Sequence, residues 1–181
     1  QNLFQYCFSL NVDLFSGYFM TQHNFNGSGN VDYALNRSFC GGMYENVYLH
    51  IFNNTRRLIA SCDEQGLTDY AGMMRVVQAY AVQMLTDVYG PVAYTSCIED
   101  PTNGASFSYD TQQSIYNSIF ELLDKALQDF QSPKSTLEER QSFDYWCNGD
   151  LDMWIQVANQ LKLRAALRIV KADPTLAKQK A

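Results

Sequence analysis

The sequence predicts an all-α chain made of successive antiparallel helix pairs. Three observations carry that expectation: long apolar stripes at three- and four-residue spacing, proline or glycine where the stripes stop, and capping side chains where they start. At 181 residues, 46% of them hydrophobic and 18% charged, the chain has the composition of a globular protein. A chain of this length buries roughly 70% of the surface its unfolded form exposes, so residues 1–181 are expected to form a single helical domain.

Residues 3–23 and 44–62 contain no proline and keep helical apolar spacing among many aromatics, which predicts two helices. Between them, residues 23–40 are rich in Asn, Gly and Ser and long for a connection inside a domain; loops of that length are usually functional or disordered. Gly41 and Gly42 lack the pattern of a phosphate loop and read as turn glycines. The strongest periodicity runs over residues 67–89, where Met74, Val77, Ala81, Met84, Leu85 and Val88 mark one buried face. Gly90 and Pro91 end it, the glycine suiting a left-handed conformation and the proline unable to continue the ladder.

A further helix is predicted from Asp110, with Gln113 reaching back as in a capping box and a stripe from Ile115 to Phe130 that stops before Pro133. Asp150 is expected to cap the next, which runs through Trp154, Ala158, Leu161, Ala165 and Ile169. Asp173-Pro174 opens another. Five or six helices in antiparallel pairs imply a solenoid-like layer, although no W-x-x-L-G-x-x-Y string marks a 34-residue repeat.

A net charge of −6 works against nucleic-acid binding, which needs a concentrated basic surface. No run reaches the roughly 18 apolar residues that a membrane-spanning helix requires. Without a charged n-region and apolar h-region, Gln1 is expected to open a mature or engineered fragment, with any lipid anchor outside it. Five cysteines occur without a CxxC pair, so at least one thiol is unpaired. They read either as one or two structural disulfides or, the preferred reading, as small buried hydrophobes.

Catalysis is hard to place. Only His23 and His50 are available, neither in a metal or nucleophile motif, and no enzyme, cofactor or metal is expected. A binding role fits better, because twelve Tyr and eleven Phe offer flat faces of the kind that meet the CH faces of sugars. Most such rings must be core; those in the long connection are the candidates. Asn30, Asp32, Tyr33, Arg37 and Phe39 there combine stacking faces with hydrogen-bonding edges. Other conspicuous residues read as structural. Asp87 falls in a last helical turn, where the helix dipole disfavours a carboxylate and asks for a cation. Arg164 or Arg168, four apart on one helix face, is expected to supply it and staple two helices, the alternative being that both arginines reach water.

Three stretches together resemble the SusD/RagB family, especially its SusD-like branch. Residues 75–94, with Asp87-Val88-Tyr89-Gly90 and Tyr94, are similar to the family's helix ending D-x-Y-G-x-x-P-Y, apart from the position of the proline. Tyr109-Asp110, Ile115-Tyr116 and Leu123-Asp124-Lys125-Ala126 resemble its Y-D-x-x-x-x-I-Y and L-D-x-A strings. Gly149-Asp150 with Trp154, then Ala158-Asn159 and Leu161-Lys162-Leu163-Arg164, resemble G-D-x-x-x-W and A-N-x-L-K-L-R. The resemblance implies a tetratricopeptide-like, right-handed solenoid layer in which Asp87, Gly90, Asp150, Trp154, Asn159, Arg164 and Arg168 are scaffold residues. It also implies the N-terminal part of a longer lipoprotein, anchored on the outer face of the outer membrane, that hands oligosaccharides to a SusC-like TonB-dependent transporter. Peptide capture by a RagB-like subunit, or a helical adaptor with no small-molecule site, are the alternatives.

Overall fold

The computed structural model describes residues 13, 16–18, 37–99 and 107–181, the first four residues of the 37–99 stretch by backbone alone. The chain divides into two compact units, residues 1–50 and 51–181, each of which is described by itself.

In the first unit, helix α1 spans Arg37–Asn46, and a π-helical stretch, Val47–Phe52, follows it. The helix therefore starts where the sequence predicts loop. Gly41 and Gly42 lie inside it rather than in a turn. Each glycine costs a helix about 1 kcal/mol relative to alanine. Met43 and Val47, four apart, are both buried, and burying two such side chains returns roughly 1.5 to 3 kcal/mol each, so packing overrides propensity. The rings of Tyr44 and Tyr48, also four apart, meet at 4.5 Å.

The second unit carries α2 (Asn53–Gln65), α3 (Thr68–Tyr89), α4 (Thr95–Glu99), α5 (Gln112–Asp129), α6 (Leu137–Gln141), α7 (Leu151–Ile169) and α8 (Pro174–Lys180). It is an all-α, tetratricopeptide-like layer of antiparallel helix pairs, as expected. Among the described residues the only sheet-like pairing is one antiparallel bridge, in which the Asp110 N–H donates to the Val92 carbonyl at 2.9 Å.

Helix α3 is the centre. It packs against α2, α5 and α7, and α5 and α8 in turn pack on α7. With neighbours on several sides it is buried over most of its surface: of the face read from the sequence Ala81 and Leu85 are buried, Met74, Val77 and Met84 half-buried, and the deeper burial extends beyond it. Ala71, Met73, Val76, Ala79 and Val82 are buried, whereas Val88 is 38% exposed. A helix packed on several sides has only a narrow solvent face for periodicity to report. Its buried polar residues are matched from neighbouring elements: Arg75 pairs with Asp129 of α5 and Asp63 of α2, and Gln78 donates to the Tyr94 hydroxyl at 3.1 Å. Gly72 lets the helix approach the end of α5, since a Cβ there would stand 2.7 Å from Phe130 Cε1.

Of the two caps read from the sequence one is found and one is not, and the Asp173-Pro174 pair does open a helix. Asp150 caps α7 by accepting from the Asp152 and Met153 amides, and Asp173 caps α8 with Pro174 in its first turn. Asp110 does not cap α5, whose N-cap is Thr111. Its carboxylate instead accepts the Tyr94 and Thr95 amides at 2.8 Å each, because the bridge to Val92 turns it towards the start of α4. Gly90 ends α3 with φ 75° and ψ −131°, positive as expected but outside the left-handed helical region. Helix α6, which the sequence reading missed, carries a capping box between Thr136 and Glu139. Of the cysteines, Cys62, Cys97 and Cys147 are free thiols and only Cys147 is buried, while Cys7 and the Cys40 side chain lie outside the described residues.

The turn before α7 is organised by Asp144. Its buried carboxylate accepts the Trp146, Cys147 and Gly149 amides at 3.0, 3.1 and 2.9 Å and the Trp154 indole N–H at 2.7 Å. Burial works to raise this carboxyl, but the Trp154 indole and the three amides outweigh it and hold the group below the usual carboxylate range. Arg140 closes the other side of the turn: its Nε donates to the Gly149 carbonyl at 2.7 Å, and the guanidinium pairs with fully buried Asp69.

Two predictions follow from this turn. Gly149 has φ 76°, and a Cβ there would meet the Gln141 backbone nitrogen at 2.8 Å, while Gly66, with φ 71°, has open space. Gly66→Ala should cost about 1 kcal/mol from backbone conformation alone. Gly149→Ala should cost at least about 2 kcal/mol more, because the turn must also move; equal urea midpoints for the two variants would remove the close approach as a constraint. The second concerns acid. A carboxyl depressed on folding contributes stability that is present above its unfolded pKa, about 3.9, and lost as pH falls through the lower folded value. Asp144→Asn should therefore be about 2 kcal/mol less stable at pH 7, and the gap to the parent protein should narrow below about pH 4. A gap independent of pH between 2 and 7 would show that Asp144 does not act through its charge.

Candidate functional site

The residues singled out for ligand contact do not form one described site. Asn30, Asp32 and Tyr33 lie outside the described residues. Arg37 and Phe39 belong to the first turn of α1 rather than to a connection, so their backbone is helical. His23 lies outside the described residues and His50 is exposed.

Two of the residues assigned to scaffold, Asp87 and Arg168, instead line a concavity. A cleft of about 420 Å³ opens where the last turn of α3, the start of α5, the end of α7 and the start of α8 converge. Asp87 stands in that last turn of α3, and Arg168 of α7 meets it with Nε 3.3 Å from Oδ2. Of the two arginines that could have provided the staple, it is Arg168 that does; Arg164 is exposed on α7. The sequence reading missed the third member. Tyr116, one turn into α5, donates its hydroxyl to Asp87 Oδ1 at 2.5 Å. Burial and the Asp87 carboxylate push the Tyr116 phenol up to about 12, and Asp87 raises Arg168, so the phenol keeps its proton and the guanidinium its charge across the ordinary pH range. Gln112, whose Nε2 donates to the Thr86 carbonyl at 2.8 Å, fixes the start of α5 against the end of α3.

The cleft offers amide edges from Gln113 and Asn117, a second carboxylate at Asp173, and an apolar floor from Ile169 and Leu176. Those groups can hydrogen-bond a polar ligand. They do not assemble a nucleophile with a base. The Tyr116 ring is buried, so its face is not offered for stacking. Among the described residues no group of three or more His, Cys, Asp or Glu could hold a metal ion, and no helix is long and apolar enough to cross a membrane. The remaining scaffold residues separate by burial: Trp154 is buried on Asp144, whereas Asn159 is exposed on α7.

Comparison with known proteins decides the family. A family model described as SusD-like, "Susd and RagB outer membrane lipoprotein", matches residues 1–181. The chain belongs to the SusD-like family. Among solved structures it is similar to a chitin-binding SusD homologue from Flavobacterium johnsoniae, with 30% identity and a TM-score of 0.86 over 99% of this chain and 37% of that one. It is also similar to a SusD homologue from Bacteroides vulgatus, with 29% identity and a TM-score of 0.79 over 98% of this chain and 36% of that one. Another chitin-binding protein, 24% identical with a TM-score of 0.84, shares the fold over 100% of this chain and 38% of its own. The SusD-like chain thus spans little more than a third of the length of these relatives. A comparison with curated protein sequences finds no match. SusD-like proteins are binding proteins rather than enzymes, and their family is one of outer-membrane lipoproteins.

The Asp87 triad yields a prediction. The Asp87 side chain is 12% exposed and that of Arg168 56%, so the ion pair itself contributes less than about 1 kcal/mol. The Tyr116 hydrogen bond is the larger part. Asp87→Asn keeps an acceptor for the phenol and should cost about 1 kcal/mol; Asp87→Ala leaves the hydroxyl unpaired and should cost about 2 kcal/mol. Chemical denaturation that ranks asparagine as the more damaging change would reverse the assignment.

Proposed function

We propose that this chain is the N-terminal part of a longer cell-surface glycan-binding lipoprotein that delivers oligosaccharides to a SusC-like TonB-dependent transporter in the outer membrane. The observation that carries the reading is the match of the entire chain to the SusD-like family together with its likeness to a chitin-binding homologue. The helical layer is then a rigid scaffold, held by the Arg75, Asp69–Arg140 and Asp87 pairings, and ligand capture is the work of segments mounted on it. The lipid anchor and the remaining scaffold contacts belong to the longer protein, and exposed Asn159 and Arg164 are read as residues that pack against the rest of it.

Within this reading, residues 24–40 border the glycan site, with Tyr33 and Phe39 supplying ring faces and Asn30, Asp32 and Arg37 supplying hydrogen-bonding edges. Calorimetric titration of the longer protein with soluble oligosaccharides and with peptides tests both halves of the proposal. Binding of an oligosaccharide and not of peptides is the expected outcome; binding of peptides alone would replace glycan by peptide import. Changing Tyr33 and Arg37 together to alanine should weaken that binding about ten-fold or more, a loss of roughly 1.4 kcal/mol, with the helical circular-dichroism signal intact. Unaltered affinity would take the segment out of the site.

A further inference from the structure

The turn between α6 and α7 leaves two large rings in water. Tyr145 is 94% exposed and Trp146 61%, although both lie in a segment whose backbone is pinned by the buried Asp144 carboxylate. Trp146 is held more tightly still. One of its faces stacks on the Trp154 ring, with centroids 5.8 Å apart and planes inclined by 19°, and Trp154 is itself 3% exposed and fixed by its bond to Asp144. The indole therefore has one face on the core and much of its surface in solvent, on a backbone that cannot turn it inward.

Exposed polar side chains follow the rings in the same turn. Asn148 and Asp150 from the same turn, with Gln141 and Asp152, line an open cleft of about 440 Å³. Their carboxylates and amides are exposed, and Asp150 uses Oδ1 for the α7 cap. Flat apolar faces beside carboxylate and amide edges match a pyranose, which presents CH groups on its faces and hydroxyls around its rim. Asp150 and Asp152 are exposed, while Arg140, which also lines the cleft, is buried and committed to Asp69 and the Gly149 carbonyl, so the open charges disfavour an anionic ligand and suit neutral diols. Fixing the Trp146 ring before the ligand arrives lowers the entropy lost on binding.

We propose that Tyr145 and Trp146 form a preorganised stacking platform for the pyranose rings of a neutral oligosaccharide, a contact additional to the 24–40 segment. The proposal rests on the glycan reading given above and adds a specific location to it.

Of the two tryptophans in residues 1–181, Trp154 is buried, so the part of a ligand-induced emission change that Trp146→Ala removes reports Trp146. Titration of the longer protein with the hexamers of N-acetylglucosamine, cellobiose-type β-glucan and maltose-type α-glucan should, for at least one of them, shift the emission and protect it from iodide quenching. Trp146→Ala should abolish that change and weaken calorimetric binding of the same hexamer about ten-fold, with Tyr145→Ala weakening it less. If the alanine variant fails to fold, iodide protection in the unaltered protein still decides the matter. A hexamer that binds with equal affinity to Trp146→Ala overturns the platform while leaving the glycan function standing; failure of every hexamer to bind overturns both. A blue shift that grows with protein concentration in the absence of sugar would assign the rings to a second copy of the chain. Protection from iodide in the longer protein before any sugar is added would assign them to its own remaining segments. Either outcome overturns the proposal.

Discussion

The second unit depends on a buried charge pair. Asp69, at the start of α3, has no exposed surface, and its carboxylate accepts the Lys134 and Ser135 amides, the Ser135 hydroxyl and the Arg140 guanidinium. A buried ion pair contributes little net stability over a well-packed apolar pair, yet removing one partner costs about 3 to 5 kcal/mol because the other charge is left stranded. Here the cost falls on more than the pair. Arg140 also donates to the Gly149 carbonyl, the Gly149 amide donates to Asp144, and Asp144 accepts from Trp154. One run of charge-assisted hydrogen bonds therefore ties the start of α3 to the connection after α5, to α6, and to the start of α7. Loops that would otherwise vary with their own composition are set in place by a carboxylate on the central helix.

The same logic explains how α3 can be buried over most of its surface and still carry polar residues. Arg75 is matched by two carboxylates, one from α2 and one from α5, and Asp129 is shared with Lys125 one turn earlier in its own helix. Asp124 likewise gathers Lys162 of α7 and Lys180 of α8 at 2.7 and 2.6 Å. Each carboxylate draws its cations from different helices, so the ion pairs fix which helices are neighbours while the apolar contacts supply the energy. A charge read alone in the sequence as a solvated face is thus, in this unit, often a point of registration between elements.

That distinction marks what the sequence could disclose. Helix existence and ends were legible where a local signal decided them: Asp150 as a cap, Asp173-Pro174 as a start, Gly90 as a stop, and the stripe from Ile115 to Phe130. The pairing of Asp87 with an arginine was legible because a carboxylate in a last turn needs a counter-charge, although the choice of Arg168 over Arg164 depends on how α7 is rotated. Asp110 was misassigned because its competing partners, the amides of Tyr94 and Thr95, are fifteen and sixteen residues away and no local pattern points to them. The glycines at 41 and 42 misled for the same reason, since the burial of Met43 and Val47 that outweighs them is tertiary. Asp144 gave no signal beyond standing ten residues before the tryptophan whose indole it accepts.

These hydrogen bonds also bear on how such a scaffold can bind at all. A binding surface made of loops is useful only if the loops do not spend binding energy on being ordered, and each rotamer-rich side chain immobilised on association costs about 0.5 to 1.5 kcal/mol. The turn from Asp144 to Asp150 avoids that cost. The amides of Asp144, Trp146, Cys147, Gly149 and Asp150 are already paired within the unit, Asn148 and Gly149 adopt positive φ of 51° and 76°, and a side chain at 149 is excluded by contact with Arg140 and Gln141. A turn so constrained cannot collapse its aromatic residues onto the core, so their exposure follows from the backbone that Asp144 and Arg140 dictate. The Asp87 cleft has the opposite character: its phenol and guanidinium are committed to one carboxylate, and its ring face is inside. The aromatic groups that remain available in this unit are those of the turn whose backbone is held from beneath, and it is there that the scaffold's rigidity is turned outward.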